Sequence, residues 1–101
     1  PADVDEFAVA GLTPIKSDVV APARVLESPV NLECRLLQIV EVSTRPMGGS
    51  LVLGEIVRFH IDDRLLEDLR IKQDELRAVG RMGGFEYTRT RDRFRLVRPA
   101  I

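Results

Sequence analysis

The chain reads as a mainly β protein, and three observations predict it. A thirteen-residue apolar-rich stretch, Val30 to Val42, contains neither glycine nor proline. The turn-forming run Ser43-Thr-Arg-Pro-Met-Gly-Gly-Ser50 interrupts it, and an apolar stretch resumes from Leu51 to Ile61. In Arg91-Asp-Arg-Phe-Arg-Leu96, arginine then alternates with Phe94 and Leu96 in the period-two rhythm of a strand half in water.

Taken in order, the first element is a short helix. The run from Asp3 to Gly11 has an acidic start, Val4, Phe7 and Ala8 at helical spacing, and a glycine stop. Pro14 and Pro22 then mark an extended surface segment up to Glu27. Val30–Val42 and Leu51–Ile61 follow as the two arms of a long antiparallel hairpin. In the first arm, Leu32 and Leu36 fall on one face and Leu37 and Ile39 on the other, so both faces need cover. A barrel interior plus a subunit or helix contact would provide it. Charged Glu33, Arg35 and Glu41 argue against complete burial of that arm. Gly54 in the second arm marks either a bulge that bends the strand or a close approach of a ligand or backbone. Ile71 to Val79 allows a further helical turn or two. Glu86 to Arg89 and the alternating arginine run, joined by a turn at Thr90–Asp92, predict a closing hairpin whose arginines face solvent.

A chain of 101 residues suits one domain with a modest core. An apolar fraction of 45% with 31% charged residues excludes a disordered or membrane-embedded chain. The start at Pro1 is read as that of a trimmed chain or fragment. Cys34 is the only cysteine, which excludes an internal disulfide or a cysteine metal cluster and points to a reducing cytoplasm. Its apolar neighbours Leu32 and Leu36 suggest a packed, unreactive thiol. Charge is uneven: residues 1–76 carry a balance of −6 and residues 77–101 one of +5. Such a basic tail raises an anionic partner. Nucleic acid is disfavoured, because there is no binding motif and only Phe94 and Tyr87 offer stacking surface.

Candidate chemistry is sparse. His60, followed by Asp62 and Asp63, could form a metal site or an acid/base pair, but further ligands at a recognisable spacing are missing, and a surface cluster is the plainer reading. Gly48-Gly49 after Pro46 is hairpin-loop chemistry. Gly83-Gly84, between Arg81 and Tyr87, has no evident turn to serve; a guanidinium, two glycines and an aromatic ring so close in sequence could line a flavin or nucleotide pocket.

Four phrases in fixed order extend these readings: Val4-Asp-Glu-Phe-Ala-Val-Ala-Gly-Leu-Thr13, Glu27-Ser-Pro-Val-Asn-Leu-Glu-Cys34, Leu51-Val-Leu-Gly-Glu-Ile-Val57 and Gly80-Arg-Met-Gly-Gly-Phe-Glu-Tyr87. Together they resemble the C-terminal half of bacterial flavin reductase-like, FMN-binding split-barrel domains of the nitrilotriacetate monooxygenase component B type. The resemblance implies a Greek-key split barrel, of which residues 1–101 form the C-terminal portion. It also implies a homodimer, or a missing N-terminal half, with FMN at the interface and NAD(P)H as co-substrate. Arg81, Gly83, Gly84 and Tyr87 would then lie near the active-site mouth, and Phe7, Gly11 and Thr13 on the segment close to the flavin or the partner subunit. No side chain is assigned a catalytic role, and no metal is implied. Two other readings stay open: a flavin-binding protein without reductase turnover, and an interaction fragment using its basic tail.

Overall fold

A computed structural model describes residues 3–100, which divide into two units with the boundary between Ile61 and Asp62. In the first, helix α1 (Glu6–Ala10) is capped by Asp5, whose carboxylate accepts from the Phe7 amide at 3.1 Å. Gly11 ends it in the left-handed region, φ 70°, with Leu12 N–H donating to Phe7 and Gly11 N–H to Ala8. This pair of bonds is a Schellman motif, so the glycine predicted as a stop acts as one. The extended segment then forms two short paired strands, β1 (Pro14–Ile15) and β2 (Arg24–Val25).

The predicted long hairpin is present as β3 (Val30–Glu41) and β4 (Ser50–Ile61), antiparallel from Val30↔Ile61 to Glu41↔Ser50. Its loop is tight: Gly48 N–H donates to the Arg45 carbonyl at 2.8 Å, and a β-carbon on Gly48 would collide with the Ser43 carbonyl oxygen. Two register shifts bend the pair, one leaving Val57 unpaired and one leaving Leu37 unpaired. Gly54 pairs with Leu36 beside the second bulge, and a methyl there would meet only ordinary contact, 3.4 Å from the Cys34 β-carbon. The bulge accounts for this glycine. Both faces of the hairpin are bare: Leu51 and Val52, consecutive and therefore on opposite faces, are 53% and 62% exposed. Cys34, expected to be packed, is exposed as well.

The second unit begins with a 3-10 turn (Asp63–Leu65), then a small hairpin of β5 (Leu66–Glu67) and β6 (Arg70–Ile71), helix α2 (Gln73–Leu76), and a hairpin of β7 (Val79–Arg81) and β8 (Tyr87–Arg89). Leu65, 3% exposed, is the only buried apolar residue among those described. The tail departs from expectation. Tyr87–Arg89 pairs back onto Val79–Arg81, and Arg91–Leu96 forms no strand. Period-two alternation makes a strand only when an edge is available to pair with, and β8 already uses the nearest one.

Glu33, read from sequence as a charge that limits burial, is the most buried side chain described, at 1% exposure. Asn31 and Glu33 point to the face of β3 covered by residues 17–25. The Glu33 carboxylate accepts from the amides of Asp18 (2.9 Å), Val19 (2.7 Å) and Val20 (3.2 Å), and from His60 Nε2 at 2.5 Å. Burial pushes its pKa up, but the three amides and His60 together outweigh burial and hold it down, at about 2. A carboxyl with a lowered folded pKa stabilises the fold above its ordinary value of 4.5, and that stabilisation is lost as pH falls toward 2. Hydrogen exchange of the Asp18, Val19 and Val20 amides should therefore accelerate relative to the β3–β4 amides as pH falls from 4.5 to 2. Glu33→Gln should show the loss already at pH 7 and respond little across that acid window. Unchanged protection of these amides at pH 2.5 would contradict the assignment.

Candidate functional site

The sequence-predicted residues fall into two groups, one in each unit. In the first unit, Phe7 is half-buried on α1 and Gly11 closes that helix. Thr13 is held by two bonds from Glu27: its amide donates to Oε1 at 2.8 Å and its hydroxyl to Oε2 at 2.7 Å. The Thr13 amide and hydroxyl bonds together hold the Glu27 carboxyl below its usual range. Two sequence phrases thus meet through one carboxylate. Within the second phrase, Asn31 Oδ1 accepts from Val25 at 3.1 Å while Nδ2 donates to the Val25 and Ser28 carbonyls, each at 3.2 Å. Glu27, Asn31 and Glu33 each fasten a different loop, so the phrase Glu-Ser-Pro-Val-Asn-Leu-Glu acts as a clamp that fixes where α1 and the Thr13 segment sit relative to β3.

In the second unit, Arg81 and Tyr87 are direct cross-strand partners, the last pair before the turn of the β7–β8 hairpin. Side chains so paired stand side by side on one face. Gly83-Gly84, which seemed to serve no turn, forms it: Gly84 has φ 61°, Glu86 N–H donates to Gly83 at 3.1 Å, and Met82 N–H to Glu86 at 2.9 Å. The turn was hidden because its closing strand is only three residues long. Nothing lies within 4 Å of where a β-carbon would stand on Gly83 or Gly84, so the turn presents open backbone. Phe85 at its tip is fully exposed. Arg81 makes no ion pair among the described residues.

His60 does not act with Asp62 and Asp63. Asp62 caps the 3-10 turn, accepting from the Arg64 amide at 3.0 Å, and its carboxylate is paired to the Arg64 guanidinium, whose hydrogen bonds lower its pKa. His60 instead joins Glu33, with Asp18 Oδ2 3.9 Å away. Asp18, Glu33 and His60 are near enough to hold a metal ion between them. The chemistry is against one: all four Glu33 contacts are already made, and Arg58 places a cation on Asp18 at 2.9 Å. Sequence reasoning missed the cluster because Glu33 and His60 lie 27 positions apart; the signal was their place on opposite arms of a recognised hairpin, at nearly matching register.

A protein-family model described as flavin reductase like domain matches residues 1–80. The match ends one residue before Arg81. Among solved structures, nitrilotriacetate monooxygenase component B from Bacillus cereus is 31% identical with a TM-score of 0.85, over 95% of this chain and 48% of that one. The 2-nitrobenzoate 2-nitroreductase NbaA of Pseudomonas fluorescens is 33% identical with a TM-score of 0.81, at the same coverage. The protein BH2278 of Halalkalibacterium halodurans is 32% identical over 100% of this chain and 49% of its own length. The chain thus spans about half the length of the relatives it matches. No helix among the described residues is long and apolar enough to cross a membrane. With the family model covering most of its residues and the fold shared over nearly its whole length, the chain belongs to the flavin reductase like domain family.

Proposed function

We propose that this chain forms part of an FMN-dependent NAD(P)H:flavin oxidoreductase, working in the cytoplasm as a homodimer or together with the other half of its domain. The observation that carries this reading is the family match over residues 1–80, set beside a hairpin with two bare apolar faces. A fold of this kind needs a second layer, and large exposed apolar faces are where partners bind.

FMN, when bound, would supply the redox chemistry between flavin and reduced nicotinamide. The residues present suit that group: the unpaired Arg81 guanidinium offers donors to a phosphate or to negative charge on a reduced flavin, and the neighbouring Tyr87 ring offers a flat surface. Gly83 and Gly84 leave the backbone approachable by a planar ligand. Phe7, Gly11 and Thr13 are assigned to the segment on the flavin's side or toward a partner, and Glu27 holds Thr13 within its own unit. On this reading the side chains position the flavin and the nicotinamide rather than act as acids or bases.

Arg81→Ala in the full-length protein should weaken flavin or NAD(P)H binding by about 1 to 3 kcal/mol, read by fluorescence titration. Arg93→Ala, which removes an exposed pair with Asp74, should leave that affinity unchanged and cost at most about 1 kcal/mol of stability. Anaerobic addition of reduced nicotinamide should bleach the bound flavin's visible absorbance. A flavin that binds but does not bleach would make the protein a flavin carrier; equal losses from Arg81→Ala and Arg93→Ala would make the Arg-x-Gly-Gly-x-x-Tyr hairpin purely structural.

A further inference from the structure

The basic tail is rooted but unpaired. Thr90 Oγ1 donates to the Ala78 carbonyl at 2.9 Å, and the Arg93 guanidinium bridges Asp74 at 2.7 Å and the Thr90 carbonyl at 2.9 Å. Beyond Arg93 the bonding stops. No backbone group from Phe94 to Arg98 is hydrogen-bonded among the described residues, and Phe94 and Leu96 are 84% and 86% exposed. The sequence here is nonetheless that of a strand, with Phe94 and Leu96 alternating with Arg93 and Arg95, and Pro99 closing it. A segment so patterned lacks only an edge to pair with.

The chain carries such an edge. Among the described residues β3 and β4 pair only with each other, so each of these twelve-residue strands keeps an unpaired outer edge. The outer part of the hairpin is also apolar on both faces. A free edge of that length is a template for another strand. Its charge suits this one: residues 1–76 carry a balance of −6 against +5 for residues 77–101, and Glu41 on β3 and Glu55 on β4 are both exposed. One chain thus holds a strand pattern without an edge and an edge without a strand, of opposite charge. A second copy supplies each with the other, and two-fold symmetry repeats the contact.

We propose that residues 94–98 add as a strand to the outer β3–β4 edge of a second copy, so that two chains exchange arms. This rests on the homodimer of the proposed function and names the segment that joins its copies; it involves no flavin. Cross-linking in the full-length protein tests it. Copies carrying Leu96→Cys are mixed with isotopically heavy copies carrying Val40→Cys on β3 or Leu51→Cys on β4, treated with a short bismaleimide, and the linked peptides located by mass spectrometry. The expected product joins residue 96 of the light copy to residue 40 or 51 of the heavy one. In a chain carrying both cysteines, a link confined to one copy would overturn the proposal, as would a dimer that gives no link from residue 96 to either strand, or a monomeric protein. A variant with Arg95→Pro and Leu96→Pro removes an N–H donor from the arm whichever of its edges is engaged. It should raise the dimer dissociation constant in sedimentation by about tenfold or more, with unchanged circular dichroism of the dissociated chain. An unchanged dissociation constant would also overturn the proposal. Anaerobic bleaching of flavin in the same preparations reports on the reductase reading separately, so a dimer that reduces flavin without exchanging arms defeats this inference alone.

Discussion

The buried carboxylate of Glu33 is the constraint on which the first unit rests. A charge out of water is stable only if its hydrogen-bonding capacity is met, and here three consecutive amides and one imidazole meet it. Those amides belong to a loop with no regular structure of its own, so the carboxylate takes the place of a strand partner. Glu27 and Asn31 repeat the device at neighbouring points. Polar side chains projecting from the start of one strand therefore fix a whole segment that apolar packing cannot, because almost no apolar residue in it is buried.

The second consequence is a division of labour along the β3–β4 hairpin. Its base, where Glu33 pairs with Arg58 and Asn31 with His60, is polar and satisfied within the chain. Its outer part is apolar on both faces and satisfied by nothing in its unit. The matching relatives are about twice as long. Under the proposed function, the remainder of the domain or a second subunit covers the outer hairpin, while the base keeps the Thr13 segment in position.

Much of this architecture was legible in the sequence. The long hairpin, its Pro-Met-Gly-Gly loop, the capped first helix and the glycine beside a bulge all follow from local patterns that the structure reproduces. What escaped was non-local. Glu33 reads as a surface charge until the loop at 18–20 is seen folding over it, and His60 reads with its neighbours Asp62 and Asp63 until register sets it beside Asn31 and Glu33. The tail misled for the opposite reason: alternation from Arg91 to Leu96 is a true strand pattern without a strand to pair with. The Gly83-Gly84 turn was concealed by the shortness of β8, and with it the direct pairing of Arg81 with Tyr87.

The proposed function makes one central claim: Arg81 contributes to a flavin site, and the apolar hairpin is covered by further protein. A crystal structure of the full-length protein with FMN bound tests it most directly. The account predicts Leu51 and Val52 buried on their opposite faces and the Arg81 guanidinium within hydrogen-bonding distance of FMN. FMN bound away from both Arg81 and the Thr13 segment, with the hairpin faces still in water, would contradict it.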